Sequence, residues 1–210
     1  CAVPALLGLA LSAGAASAHP SWGVSSQTPL GAADIARMGQ AKVGMLRTLF
    51  SWSTVEQAPG ARDWGAIDAI VAEAAGRGIE VLPVLYGTPA WIAERLDRRR
   101  CAPGCDVYPP CSDAALRAWR RFVADAVRRY GRGGTFWEQH PALPKRPIVA
   151  RQVWHAQNSP AFFAPRLSPG ESTSAVMTGA RAIERRMSAG LQPTSWVKFF
   201  RRCLTGSRRL

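Results

Sequence analysis

The chain has 210 residues, with 27 Lys and Arg against 14 Asp and Glu and a formal net charge of +13. This length suits one domain, and a hydrophobic content of 47% excludes a wholly disordered chain. No apolar run in the body reaches the 18 residues that a membrane-spanning helix needs. The basic excess is mostly arginine and is greatest after Ala161, so we expect no nucleic-acid partner.

The N-terminus has the pattern of an export signal. Ala2 to Ala16 is apolar and rich in small residues, and it ends in Ala16-Ser17-Ala18, which is typical of a signal-peptidase site. We therefore expect residues 1–18 to belong to a signal peptide and the mature protein to be secreted. The chain starts at Cys1 without a basic segment, so we expect this signal peptide to be partial. The alternative is a buried N-terminal helix.

Beyond this segment, apolar patterns predict strands that alternate with helices. In chain order we predict a short strand near Trp22–Val24, a helix at Pro29–Met38, a strand at Val43–Trp52, a helix from Asp63 to Gly76, a strand at Ile79–Tyr86, a helix from Ser112, a strand at Pro147–Trp154 and a helix at Pro169–Met187. Pro83 is unfavourable inside the third strand, because proline removes a hydrogen-bond donor. The arginines of the third helix, Arg117 to Arg129, are expected to form a solvated face.

Strands and helices in this alternation imply parallel strands joined by crossovers, as in a doubly wound sheet or a (β/α)8 barrel. No Gly-x-Gly-x-x-Gly or P-loop motif follows a strand, which disfavours a nucleotide-binding sheet. Aromatic and polar residues cluster where strands end, at Ser51, Tyr86–Trp91 and Trp154–Asn158, and a barrel carries its active site there. We predict an α/β fold, a partial TIM barrel of about four βα units over residues 19–188, with an irregular basic tail at 189–210.

Three cysteines lie in a Pro- and Gly-rich loop after the third predicted strand. In an exported protein Cys101, Cys105 and Cys111 are candidates for a disulfide, and their pairing, also with Cys203, stays open. The gaps between them match no common zinc pattern, so we expect no metal and no cofactor.

Three segments resemble motifs of the clan A glycoside hydrolases, which are TIM-barrel glycosidases. The segment Arg151–Phe163 is similar to a fourth-strand signature that typically ends in Trp-Asn-Glu-Pro-Asn, with Trp154 and Asn158 at matching positions. Leu46-Arg47, with Trp52 and Glu56 downstream, resembles the second-strand motif. Tyr86–Trp91 resembles the third-strand loop, so the resemblance covers roughly Trp22 to Glu184.

The resemblance implies hydrolysis of O-glycosyl bonds in β-linked glycans by two carboxylates. In the family, the Glu of the fourth-strand motif is the general acid/base and a Glu on strand seven is the nucleophile. This chain has His155-Ala156 where the motif has Asn-Glu, so Ala156 occupies the acid/base position. A seventh strand is not found, and the implied protein is a truncated, inactive relative that binds carbohydrate.

The predicted substrate-binding residues follow from the same resemblance; they are Arg47, Trp91, Trp154, His155 and Asn158. Arg47 matches a family arginine that hydrogen-bonds the nucleophile carboxylate, and without that partner it is expected to be an orphan cation. Trp91 and Trp154 either stack on sugar rings or pack in the core. His155 is expected to point away from the scissile oxygen, because neighbouring strand residues face opposite sides. Glu56 and Glu80 are expected to be solvated or structural.

The tail Leu191–Leu210 does not continue the alternation, and we interpret it as a truncated reading frame, frameshifted between about Ser172 and Met187. Four parallel strands leave two unpaired edges, so self-association is expected. Three functions stay open at this point. They are an inactive glycosidase-like protein, a non-catalytic carbohydrate-binding remnant, and a cationic secreted protein whose tail binds anionic polymers.

Overall fold

The computed structural model describes residues 22–26, 28–93, 105–110, 112–155 and 162. They form a parallel sheet in the order β1-β2-β3-β4, whose strands are Gly23–Ser25 (β1), Met45–Ser51 (β2), Glu80–Tyr86 (β3) and Gln152–Val153 (β4). The helices are Ala32–Gln40 (α1), Trp52–Val55 (α2), Gly65–Gly76 (α3), Ala90–Ala93 (α4), Asp113–Tyr130 (α5) and Thr135–Gln139 (α6), and Cys105–Val107 is a 3-10 turn. Within these ranges no helix combines the length and apolarity needed to span a membrane.

The strand order distinguishes between the two predicted architectures. A doubly wound sheet reverses its strand order at a switch point, whereas barrel strands are neighbours in the order of the chain. Here Met45 pairs with both Gly23 of β1 and Glu80 of β3, and β4 pairs with β3. This sequential parallel order confirms the partial TIM-barrel prediction. The predicted signal peptide, the helix at 169–187 and the tail lie outside the described residues.

The two faces of β2 differ in burial. Leu46, Thr48 and Phe50 are buried, while Arg47 and Ser51 are half-buried and Leu49 is 43% exposed. Alternate residues of a strand point to opposite faces, so the buried residues face the helices. The face with Arg47 and Leu49 is the one that would line a barrel interior.

The position of Pro83 explains why β4 is shorter than predicted. Glu80 N–H donates to Gly44 O on the β2 side, and Leu85 O accepts from Trp154 N–H on the β4 side. Because alternate residues of a parallel strand bond to opposite neighbours, the Pro83 nitrogen faces β4 and costs β2 no bond. Pairing with β4 begins only beyond it, at Val84. The preceding segment bonds elsewhere, since Ile148 N–H donates to Tyr130 O.

Hydrogen bonds to side chains set several helix ends. Ser112 Oγ accepts from Ala115 N–H at 3.2 Å and caps α5 as predicted. Ser51 Oγ accepts from Thr54 N–H, so the chain turns into α2 at Trp52 instead of extending the strand. Helix α1 begins at Ala32, later than predicted, because the Asp34 carboxylate accepts from Gly31 N–H at 3.0 Å.

The arginine face of α5 is solvated only in part. Arg117, Arg120, Arg121 and Arg128 are exposed, as expected. The expectation is wrong for Arg129, whose Nε donates to Asp68 Oδ1 of α3 at 2.8 Å. Tyr130 O–H donates to the same oxygen at 2.6 Å, so one carboxylate links α3 to α5.

Candidate functional site

Arg47, the third residue of β2, lies at the centre of a polar network whose partners are at the carboxyl ends of β1 and β4. Its NH1 donates to Ser25 Oγ at 2.9 Å, its Nε to Gln152 Oε1 at 2.9 Å, and its NH2 to His155 Nδ1 at 3.0 Å. The network joins β1, β2 and β4, and the register places Ser25 directly beside Arg47. Among the described residues no carboxylate pairs with Arg47. The arginine was expected to be an orphan cation, but it donates hydrogen bonds to three neutral side chains.

The bond to Arg47 fixes the protonation of His155. A guanidinium group only donates hydrogen bonds, so Nδ1 of His155 must accept and the ring proton must lie on Nε2. Partial burial, followed by the positive charge of Arg47, lowers the pKa of His155. The ring is therefore neutral near pH 7 and presents its Nε2–H as a donor.

The backbone of Trp154 explains how His155 comes to contact Arg47, and the direction of His155 relative to a scissile oxygen stays a prediction. Trp154 has a φ of 63°, in the left-handed region that non-glycine residues rarely adopt. The alternation of faces holds only for extended backbone. This turn at Trp154 lets His155 reach Arg47 while Trp154 enters the core.

The two predicted stacking tryptophans both pack against protein. Trp154 is 1% exposed, its Nε1–H donates to Phe162 O at 2.9 Å, and its ring centre lies 5.0 Å from that of Tyr86. Trp91 is half-buried, and its Nε1–H donates to Glu56 O at 2.9 Å. Of the two roles predicted for these residues, the structure favours core packing.

Glu56 has a structural role. It is 1% exposed, and its carboxylate accepts from Trp52 Nε1–H and from Gly60 N–H, both at 2.8 Å. Arg62 Nε lies 3.2 Å from Oε2 and balances the charge. A carboxylate held by three donors inside the core cannot reach a substrate.

Sequence analysis missed Asp106, which the 3-10 turn brings to the end of β3. Thr88 N–H donates to Asp106 O at 3.0 Å. Burial, and then the negative charge of Asp106, raise the pKa of the Tyr86 hydroxyl. No motif marked Asp106, because the loop was interpreted from its cysteines alone.

Several predicted site residues are not described. Ala156, Asn158, Cys101 and Cys111 lie outside the described residues, and of Cys105 only the backbone is described. The disulfide therefore stays a prediction. In the part of the chain that is described, no three His, Cys, Asp or Glu side chains are grouped to hold a metal ion.

Comparison with known proteins gives similarities of fold. No protein-family model and no curated protein matches the chain. It is similar to the virulence factor SghA from Agrobacterium tumefaciens, with a TM-score of 0.48, 15% identity and coverage of 73% of this chain and 33% of SghA. A family 39 glycoside hydrolase from Bacteroides cellulosilyticus WH2 is similar with a TM-score of 0.47, 17% identity and coverage of 77% of this chain and 29% of the hydrolase. A glucosidase from Croceicoccus marinus is similar with a TM-score of 0.47, 16% identity and coverage of 79% of this chain and 36% of the glucosidase. The chain thus spans about a third of the length of these proteins.

Proposed function

We propose that this chain is a glycoside hydrolase-type barrel segment that binds carbohydrate at the carboxyl ends of its strands and does not cleave it. The Arg47 network is the observation that carries the proposal. Three of the five guanidinium N–H groups bind Gln152, Ser25 and His155. The other two N–H groups, with Nε2–H of His155, are donors for the hydroxyl and ring oxygens of a sugar.

We infer the lack of cleavage from the carboxyl groups present at the carboxyl ends of the strands. Glycoside hydrolysis needs two carboxyl groups on opposite sides of the bond, one to deliver a proton and one to face the cationic centre. Ala156 follows His155 in the chain, and a methyl side chain carries no proton. Glu56 is occupied in the core, and within the described ranges Asp106 gives the end of β3 one carboxyl group where two are needed.

His155 does not replace the missing acid. A general acid works best when its pKa lies near the working pH. The pKa of His155 is lowered, and its Nδ1 is held by Arg47. Protonating Nδ1 would break that hydrogen bond and place two cations side by side, so the neutral ring is a donor to the ligand and not a proton source.

Calorimetric titration with salicin, a neutral aryl β-glucoside, tests the binding. We expect saturable binding that weakens at least tenfold in Arg47→Ala, because the network loses its central donor. Arg37→Ala is the matched control, since Arg37 is an exposed arginine on α1 that pairs with its neighbour Asp34 on the same helix. Absence of saturable binding, or equal weakening in the control, would overturn the proposal.

Two further parts of the proposal concern segments outside the described residues. We propose that residues 1–18 direct export, so that the protein meets glycans outside the cytoplasm. The alternative function, binding of anionic polymers by the tail at 189–210, stays a prediction. A variant that ends at residue 188 would lose salt-sensitive binding to heparin if the tail carries it.

A further inference from the structure

Helix α5 carries a row of arginines on its exposed side, which we call the α5 arginine row. It consists of Arg117, Arg120, Arg121 and Arg128, and all four are exposed. Successive residues of an α-helix are about 100° apart around the axis, so these four side chains lie within an arc of about 100°. At about 1.5 Å per residue, the row extends for about 16 Å along the helix.

Most of the α5 arginine row has no acidic partner in the described part of the chain. Arg128 pairs with Asp125, whose second carboxylate oxygen is bound by Arg62. Within the same ranges, Arg117, Arg120 and Arg121 form no ion pair, not even with the exposed Asp113 one turn earlier. Three neighbouring positive charges are thus left without a counter-charge.

The stability of the helix does not account for these three arginines. Arg117 and Arg121 are four residues apart, a spacing at which like charges destabilise a helix. The helix dipole favours cations at the carboxyl end, where Arg128 and Arg129 lie. The three unpaired arginines are in the amino-terminal half of α5 instead. A bound anion would relieve their mutual repulsion.

The chemistry of the row favours a linear polymer with sulfate or carboxylate groups. A guanidinium group binds such oxyanions through its planar fork of N–H donors. A single small anion would contact only part of a row of about 16 Å. A helix that enters a membrane surface needs an exposed apolar face, and single-stranded nucleic acid needs exposed rings for stacking. The aromatic residues of α5 are all buried, namely Trp119, Phe122 and Tyr130.

We propose that the α5 arginine row binds a linear anionic polysaccharide. This surface is separate from the Arg47 site, because Tyr130 of α5 packs against Phe50, which is on the opposite face of β2 from Arg47. The inference goes beyond the proposed function, since it assigns a second class of ligand, an acidic one, to another surface. The choice of a polysaccharide among anionic polymers rests on the proposed export.

Calorimetric titration of the full chain with heparin, a linear polysaccharide with sulfate and carboxylate groups, tests the proposal. The α5 variant combines Arg117→Gln, Arg120→Gln and Arg121→Gln, which remove three charges and keep good helix formers. The matched control removes three exposed cations elsewhere, through Lys42→Gln, Lys145→Gln and Arg146→Gln. We expect at least tenfold weaker heparin binding in the α5 variant and at most twofold weaker binding in the control. Melting temperatures confirm that both variants are folded.

Three results would overturn the proposal. The first is a wild type that does not bind heparin, and the second is equal weakening in the α5 variant and the control, because net charge alone would then drive binding. The third is tighter binding of duplex DNA or of phosphatidylserine vesicles than of heparin at the same ionic strength. A full-length tail variant with Lys198→Gln, Arg201→Gln and Arg202→Gln should keep most of the heparin affinity, and its complete loss there would also contradict the α5 arginine row.

Salicin separates this inference from the proposed function. The α5 variant should bind salicin as the wild type does, and Arg47→Ala should bind heparin as the wild type does. If the wild type binds heparin through α5 and does not bind salicin, the proposed function is wrong and the α5 arginine row stands. If salicin binds through Arg47 and the α5 variant keeps its full affinity for heparin, the α5 arginine row is wrong and the proposed function stands.

Discussion

A single hydrogen bond sets the chemistry of both Arg47 and His155. Arg47 NH2 donates to His155 Nδ1, which requires a neutral imidazole, and partial burial together with the nearby charge of Arg47 lowers the pKa of His155 and favours that neutral form. The sequence predicted both residues as part of the site, because Leu46-Arg47 and Trp154 resemble family motifs. It could not predict that they touch, because the contact depends on the left-handed backbone at Trp154.

The lowered pKa of His155 predicts a pH dependence of stability. The unfolded chain binds a proton at His155 near pH 6.5, whereas the folded chain binds it only at lower pH. Since the unfolded state binds more protons in this window, the free energy of unfolding falls as pH drops below about 6.5. Urea denaturation at pH 7, 6 and 5 should show a steeper loss in the wild type than in His155→Gln. Equal slopes would mean that His155 is not shifted.

Glu56 provides a second prediction that concerns a single side chain. Glu56→Gln keeps the shape of the side chain but leaves the half-buried Arg62 without a carboxylate at that position and removes an acceptor from Gly60 or Trp52. We expect the free energy of unfolding to fall by about 2 kcal/mol. Salicin affinity of the folded variant should stay unchanged, because Glu56 does not reach the site. A variant with wild-type stability and lost binding would contradict this structural role.

Among the elements, β3 and α5 were predicted closely and β4 was not. β3 is a continuous apolar run and α5 has a strong apolar face with a Ser112 cap, so local pattern alone defines them. The extent of β4 depends on which backbone edge Pro83 leaves without a donor, which is a property of the assembled sheet. Local pattern also assigned Arg129 to solvent. Its partner Asp68 lies 61 residues earlier in the chain, so a local pattern cannot detect this contact.

The contact between α3 and α5 predicts how much one hydrogen bond between these two helices contributes to stability. Tyr130 O–H donates to the Asp68 carboxylate, and Tyr130→Phe removes that bond without leaving a cavity. We expect a loss of about 1–2 kcal/mol in the free energy of unfolding, since the acceptor is charged. Chemical denaturation measures this variant beside the wild type, and an unchanged stability in Tyr130→Phe would show that the bond contributes nothing.

For the whole molecule, the sheet has one face that the described helices do not cover. Leu49 points to that face and is exposed, and Trp22 and Val149 near the outer strands are exposed as well. In the described residues, β1 and β4 are the outer strands, so each has a free edge. Exposed apolar groups beside free edges favour association with another copy.

We therefore expect the chain to self-associate. Sedimentation velocity should give a species larger than the monomer, and Leu49→Glu should shift it towards the monomer because a charge is placed on the uncovered face. Ala69→Glu on the outside of α3 is the control and should leave the species unchanged. A monomeric wild type would show that this face is covered within one chain.

A single-turnover assay with salicin tests the central claim, binding without cleavage, most directly. Protein in excess over salicin is incubated at pH 5 to 7, and both bound salicin and released glucose are measured. The account predicts that salicin is bound through Arg47 and is recovered intact at every pH. Release of glucose that disappears in Arg47→Ala would contradict it, because the chain would then hold the acidic groups that this site is proposed to lack.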